Sequence, residues 1–391
     1  MTGSAVPPAF TIAGLFAGIG GLELGLHAAG GETKLLCEVW GPAKAVLKDK
    51  FPDVPLHEDI QTLDKLPKTD VVTAGFPCTD LSQAGRTAGI HGEASGLIKH
   101  LFELLRDASP RWVVIENVRN MLVLGKGHAM SYLVEQLEGL GYRWAYRLVD
   151  SRFTGVPQRR QRVIMVASKE DDPTNVLFSD DAGEPGDDRF KDDAYGFYWT
   201  EGNTGLGWAK DAIPTLKGGS GLGIPSSPAI WIPDAPRGQA IVTPSIEDAE
   251  QLQGFPRGWT EAALEVGKPG PRWKLVGNAV TVGVAEWLGR RLTSPGDFDH
   301  DYGVPLSPID KWPKAAWGSS GKRWAVPVSL WPEQHQYTHL LDLVNQEELT
   351  PLSFKATAGF HSRLERSSLR TQEAFKIALK EHVEAMRPQT S

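Results

Sequence analysis

At 391 residues the chain is long enough for more than one domain, and its 41% hydrophobic content is ample for sizeable cores. No apolar run is long enough to span a membrane, residues 1–8 lack a signal-peptide pattern, and two cysteines do not make a disulfide framework, so a reducing, cytoplasmic location is expected. The ten histidines show no metal-ligand spacing, so no metal site is expected, and the net charge of −7 argues against a uniformly basic surface.

In chain order, Ile12 to Phe16 reads as a strand, Ala17-Gly18-Ile19-Gly20-Gly21 as a tight turn, and Leu22 to Leu26 as the opening of a helix. Such a turn lets a backbone approach a ligand and aims unpaired N–H groups at it. It suits dinucleotides and S-adenosylmethionine alike, although the spacing is not the G-x-G-x-x-G of a pyrophosphate binder. A second strand, Lys34 to Val39, places Glu38 about twenty residues after the turn, where a carboxylate accepts ribose hydroxyls, with Trp40 beside it to cover an adenine face. The apolar run Val71 to Ala74 leads into Gly75-Phe76-Pro77-Cys78, a rigid turn that presents a thiol, the form of cysteine that becomes a nucleophile when ionised. Trp112 to Ile115 is another buried-strand pattern and ends at Glu116-Asn117-Val118; Gln158 to Arg162 precedes a third, Val163 to Val166. In a parallel sheet, residues beyond the carboxyl ends of strands converge on the ligand crevice, which suits Cys78 and Glu116. The arginines precede their strand, so they must reach the crevice from a loop or from an antiparallel neighbour.

Together these segments resemble the bacterial DNA cytosine C5-methyltransferases of restriction-modification systems. The matching motifs are Phe16 to Gly21, Gly75 to Cys78, Glu116 to Val118, Pro157 to Arg162, Thr243-Pro244 with Gln253 to Pro256, and Gly277 to Val280, in the family's order across roughly residues 10–292. The resemblance implies an α/β fold: a Rossmann-like S-adenosylmethionine-dependent methyltransferase sheet, a small irregular target-recognition domain and a C-terminal extension. It also implies S-adenosyl-L-methionine as cofactor, double-stranded DNA as substrate, a monomer on DNA, and a protein partner from a restriction or other defence system.

The same resemblance assigns roles. Cytosine C5 is too weak a nucleophile to take a methyl group unaided, so Cys78 is expected to add at C6 and turn the ring into an enamine. Glu116 is expected to hydrogen-bond or protonate N3, which is general acid catalysis and needs a raised pKa. Arg162 is expected to hold the base, and Arg160 to support it or contact phosphate. For the cofactor, Phe16, Gly18, Gly20 and Gly21 are expected on the methionine side, Glu38 and Trp40 at the ribose and adenine, Asp59 and Ile60 at the adenine edge and face, Leu97 on its other side, and Asn278 with Val280 at the methionine part. Thr79 to Gly96 resembles the loop that closes over a flipped base, with Ser82 and Arg86 as DNA contacts; Thr79 stands where many relatives carry Gln.

Residues 1–168 are thus expected to form the catalytic and cofactor domain, 169–242 the target-recognition domain, 243–295 a return to the catalytic domain, and 296–391 the extension. The acids concentrate at Lys169 to Asp172 and Asp180 to Asp193, while Arg152, Arg159, Arg160, Arg162, Arg257, Arg272 and Lys274 are expected to give DNA a basic cleft. The middle domain mixes Tyr195, Phe197, Tyr198, Trp199, Trp208 and Trp231 with polar loops, and Lys217, Ser220, Ser226, Ser227 and Arg237 are expected DNA contacts. The Arg that relatives carry shortly before Thr243-Pro244 is missing. Beyond about residue 300 the resemblance fades into a basic and aromatic stretch, Lys311 to Trp331, suited to DNA flanks or to packing on the main domain. A helical tail over 368–386 follows, with Phe375, Ile377, Ala378, His382 and Ala385 near one face.

Three rivals differ in chemistry. An RNA cytosine methyltransferase shares Cys78 and Glu116, but the Cys-Phe-Thr signature of the tRNA-directed branch is absent. A silent DNA-binding protein has no need of Cys78, Glu116, Arg160 and Arg162 together. A nicotinamide oxidoreductase gives Cys78 and Glu116 no role.

Overall fold

A computed structural model describes residues 7–77, 93–203, 205–218, 227–266, 270–307 and 309–388. The chain divides into two compact units and passes between them repeatedly: residues 1–150, 161–184 and 280–333 form the first, and residues 151–160, 185–279 and 334–391 the second.

The first unit is built on a ten-stranded sheet. Strands β1 (Phe10–Leu15), β2 (Gly31–Cys37), β3 (Leu56–His57), β4 (Val71–Ala74) and β5 (Trp112–Val118) pair in parallel in the order β3-β2-β1-β4-β5. Strand Gln161–Ser168 then runs antiparallel between β5 and β6 (Arg143–Asp150), and Ala315–Ser319, Lys322–Ala325 and Val304–Pro305 extend that edge. The central strands are mostly apolar and buried because helices cover a parallel sheet on both faces; β4 is buried at all four positions, with Thr73 its one polar side chain. Helix α1 (Gly21–Ala28) lies flush on Val282–Thr293, where a Cβ on Gly25 would stand 2.4 Å from the Val282 carbonyl oxygen. The strand order reverses on either side of β1, so the crevice beyond the carboxyl ends of β1 and β4 is the expected ligand position. Among the described residues no helix is long and apolar enough to cross a membrane.

The second unit holds a five-stranded antiparallel sheet of two- and three-residue strands, in the order Ala209–Lys210, Tyr195–Phe197, Ala229–Trp231, Ile241–Thr243 and Thr350–Pro351. Strands this short need a hydrophobic face to persist. The aromatics of residues 195–231 supply it: Tyr195 stacks on both Trp208 and Trp231 at 5.1 Å, while Phe197 meets Phe360 and Phe375. Phe360 and Phe375 come from the helices Phe354–Glu365 and Glu373–Ala385, so the tail completes this core. Its buried residues are Phe375, Leu379 and His382, whereas Ile377 is 53% exposed, which corrects the expected face. The tryptophans of the 311–331 stretch pack within the first unit: Trp312 meets Trp144 and Tyr146 edge-on, Trp317 stacks on Trp324 at 4.1 Å, and Trp331 is buried.

Candidate active site

The glycine turn is wound by left-handed backbone at Phe16 (φ 55°), Gly18 (φ 57°) and Gly20 (φ 80°). Phe16 carries a side chain in that sparsely occupied region, a local cost that functional sites tend to hold. Glu38, just beyond β2, ties the turn down: one carboxylate oxygen accepts the Gly18 N–H and the other the Trp40 N–H, each at 2.8 Å. Burial raises the Glu38 acid above its ordinary value, opposed by those N–H donors and by Lys44.

Beside the turn lies a cavity of about 270 Å³ lined by Phe16, Glu38, Asp59, Ile60, Pro77 and Leu97, together with Cys37, Val39 and Gln61. Five expected cofactor residues therefore share one cavity. Trp40 is not among its lining residues; it caps the start of α2 (Gly41–Lys50), and the exposed Val39 stands at the cavity instead. Asp59 also accepts the Gln61 N–H at 2.9 Å, capping the turn Ile60–Thr62. Val280 packs with Leu22 and Ala285. Asn278 belongs to the second unit and lies against Gly218, where a Cβ would meet its Oδ1 at 2.3 Å. Cys37 is an unreactive thiol: burial, then Glu38 and Asp59, push its pKa up to about 12.

Glu116 lies near the carboxyl end of β5. Because the next strand runs antiparallel, Val118 faces Arg162 across the sheet, and the arginine meets the crevice from a neighbouring strand. Arg162 Nε stands 2.9 Å from Glu116 Oε1, with both side chains about nine-tenths buried. The turn before Cys78 closes on this pair, since a Cβ on Gly75 would sit 3.8 Å from Glu116 Oε2. Asn117 donates from Nδ2 to the Phe76 carbonyl at 3.0 Å while its Oδ1 accepts the Val118 N–H. Asn117 holds a task that its place in the Glu116 to Val118 motif does not disclose; an amide between an acid and a strand end was its only signal. Cys78, Ser82, Arg86, Ser220 and Ser226 lie outside the described residues. The expected loop is shorter at its end than the sequence suggested, because helix Glu93–Ala108 begins inside it.

Two residues before Arg162 in sequence, Arg160 of the second unit is a strut. Arg160 is fully buried and donates to the carbonyls of Leu216, Gly277 and Ala279. Gln158 joins the same knot: its Nε2 donates to Leu252 O and Gln253 Oε1, and its Oε1 accepts the Leu216 N–H. A Cβ on Gly277 would come within 2.3 Å of the Lys217 backbone, so only glycine permits this approach. Lys217 lies 4.1 Å over the Tyr198 ring and pairs with Glu201, with burial lowering its pKa. Arg237 is largely exposed, and Ser227 accepts the Trp199 indole N–H at its carbonyl.

Three of the arginines expected to face DNA are engaged inside the second unit. Arg272 is buried against Glu247 and Glu250, Arg257 bridges Asp248 and Glu348, and Arg152 lies over the Phe190 ring. Their charges are used within the fold.

Comparison with known proteins gives this arrangement a family. The model of a family described as C-5 cytosine-specific DNA methylase matches residues 10–195. The chain is 48% identical over 367 residues to the Type II methyltransferase M2.BsuMI of Bacillus subtilis (strain 168), covering 91% of this chain and 93% of that one. It is 30% identical over 166 residues to the Type II methyltransferase M.DsaV of Dactylococcopsis salina, 42% of this chain and 47% of that one. The crystal structure of S. pombe Dnmt2 methyltransferase has the same fold, with a TM-score of 0.54 at 17% identity over 72% of this chain and 98% of that one. With the Bacillus enzyme matched along nearly the whole of both chains, this chain belongs to the C-5 cytosine-specific DNA methylase family and is a DNA (cytosine-5-)-methyltransferase.

Proposed function

We propose that the chain methylates C5 of a cytosine flipped out of duplex DNA, with Cys78 as a covalent nucleophile, and that it protects host DNA in a restriction-modification or related phage-defence system. The observation that carries this is the buried Glu116–Arg162 pair against the Gly75 to Pro77 turn that leads directly to Cys78. A thiolate from Cys78 forms a bond to C6 and the ring electrons move towards N3, where Glu116 donates a hydrogen bond or a proton. Arg162 orients Glu116 and holds the base O2 against the developing negative charge, for which its planar fork suits better than an ammonium. Asn117 fixes the turn, and within the second unit Arg160 secures the Leu216 and Gly277 to Ala279 segments. After C5 has gained its methyl group, its proton leaves to a base, with water as the candidate, and the C6–S bond breaks to release Cys78.

S-adenosyl-L-methionine, the cofactor that membership in the family implies, supplies the methyl group from its sulfonium. The residues present fit it: Phe16, Ile60 and Leu97 offer apolar faces for a purine, and Glu38 and Asp59 offer acceptors for hydroxyl and amino groups. Gly18, Gly20 and Gly21 stand on the methionine side in this reading, with Asn278 and Val280, while Trp40 belongs with Glu38 at the ribose and adenine. DNA contacts fall to Ser82, Arg86, Lys217, Ser220 and Arg237, and the enzyme acts in the cytoplasm as a monomer on DNA beside a defence-system partner.

The test is expression in a methylation-deficient bacterium followed by bisulfite sequencing, with Cys78→Ala as control. Protected cytosines in one short motif that vanish in Cys78→Ala support the reading. Protection that survives Cys78→Ala refutes the covalent mechanism, and the absence of any protected motif turns the reading to RNA, a missing partner subunit or a silent binding role.

A further inference from the structure

At the carboxyl edge of the large sheet, next to the loop that follows Glu116, a groove of about 460 Å³ runs between Arg119 and Asn120 on one wall and Trp312, Pro313 and Lys314 on the other, with Leu122 and Leu148 in its floor. The sheet explains the placement. Arg119 directly follows β5, Leu148 lies near the carboxyl end of β6, and Lys314 precedes a strand antiparallel to β6, so all three reach the edge where Glu116 sits. The far wall is held firmly: Trp312 Nε1 donates to Gly127 O at 3.1 Å, Tyr146 donates to Pro313 O at 2.8 Å, and the Leu148 N–H donates to Lys314 O at 2.7 Å.

Among the described residues no acid lines this groove, although the chain as a whole carries a charge of −7. Arg119 and Lys314 line it, Lys311 flanks it through its neighbour Trp312, and Lys126 precedes the Gly127 whose carbonyl holds Trp312; all four are exposed. Among the described residues none of the four forms an ion pair, and Arg119 keeps one hydrogen bond, to Gln161 Oε1. The nearest acid in sequence, Asp310, is turned back to accept the Ser307 N–H. The tryptophan between the lysines is packed edge-on against Trp144 and Tyr146, which leaves charge rather than ring stacking as the feature the groove presents.

We propose that this groove grips the phosphate backbone of the duplex to one side of the target cytosine, a surface that the C-terminal extension adds to the catalytic sheet. The inference rests on the DNA reading above. From β5 to Ala315–Ser319 is three strand spacings of ~4.8 Å, or about 14 Å, which corresponds to a phosphate on the order of four base pairs from the target.

The test uses the full-length enzyme and its methylated sequence, once mapped, in two duplexes: a short one ending ~3 base pairs from the target and a long one with ~12 base pairs on each side. Affinity is measured against salt for the wild type, for Lys311→Glu with Lys314→Glu, and for Lys126→Glu, which precedes the Gly127 that holds Trp312. The wild type should prefer the long duplex, and the double variant should lose that preference, with binding on the order of tenfold weaker at 0.1 M salt and a salt slope smaller by about one for each phosphate no longer neutralised. Lys126→Glu should move in the same direction. Affinity for S-adenosylhomocysteine serves as the folding control. An unchanged long-duplex affinity and slope in both variants overturns the groove proposal, and so does an equal loss on short and long duplexes. A wild type that neither binds nor methylates any duplex refutes the DNA reading instead, and is seen before any variant is made.

Discussion

Replacing Glu23 with glutamine removes a carboxyl that the first unit encloses completely. Glu23 sits in the first turn of α1, fully buried, and accepts from Thr73 Oγ1 at 3.0 Å. Room for it comes from Gly14, where a Cβ would stand 2.3 Å from Glu23 Oε1. Burial raises its pKa from the ordinary 4.5 to about 7, against hydrogen bonds from Thr73 and the backbone that lower it. The sign follows from which state holds the proton. Below pH 4.5 both states are protonated and the group favours neither; above it the unfolded chain releases the proton while the folded chain keeps it, so stability falls until pH passes about 7. At 1.36 kcal/mol per pH unit the full interval is worth roughly 3 kcal/mol, of which about 2.5 falls between pH 5 and pH 8. Glutamine stays neutral and still offers Thr73 an acceptor. The unfolding free energy of Glu23→Gln relative to wild type should therefore rise by about 2.5 kcal/mol over that range. Urea unfolding can be followed through Cys37, which is buried in β2 of the same unit, with a dipyridyl disulfide reagent in a Cys78→Ala background. A difference that stays flat with pH, or falls, refutes the reasoning.

Two further predictions concern residues that act through packing. Asn117→Ala removes the donor to the Phe76 carbonyl and should lower kcat ten- to a hundredfold by loosening the turn before Cys78, with S-adenosylhomocysteine affinity held within about twofold. Asn117→Asp, which keeps the shape but cannot donate, should fail to restore the rate; restoration would show that size alone matters. Phe375→Ala opens the aromatic core of the second unit and should cost about 3–5 kcal/mol, read from urea unfolding by tryptophan fluorescence, and a cost below ~1 kcal/mol would place Phe375 outside that core.

The strands of the catalytic sheet were legible because buried parallel strands are largely apolar, and runs such as Val71 to Ala74 carry that mark without help from distant residues. Glu116 and Arg162 were each visible at a strand end. Their pairing was not, since the sequence left open whether the arginine came from a loop or an antiparallel strand, and only the register of Val118 against Arg162 decides it. The aromatics of residues 195–231 stack as a core that the sequence did not disclose, because composition is the same whether a ring faces solvent or another ring. The tail's periodicity was readable, yet its face was set by docking: Leu379 is buried and Ile377 exposed. Strands of two residues at 304–305 and 350–351 leave no periodicity to read.

The arginines carry the larger lesson. Counting them near the motifs implied a basic cleft, but an arginine's partners are fixed by the fold and not by its neighbours in sequence. Arg160 holds backbone carbonyls, and Arg257 and Arg272 meet carboxylates brought to them by helix Ile246–Leu252 and by the segment around Glu348. A guanidinium used in this way contributes little field to an approaching phosphate, because its charge is already matched nearby. In a chain with a net charge of −7, attraction to DNA must therefore come from exposed cations without acids beside them. Arg119, Lys126, Lys311 and Lys314 meet that condition at the edge where Glu116 sits, and two of the four come from the part of the chain where the family resemblance had faded.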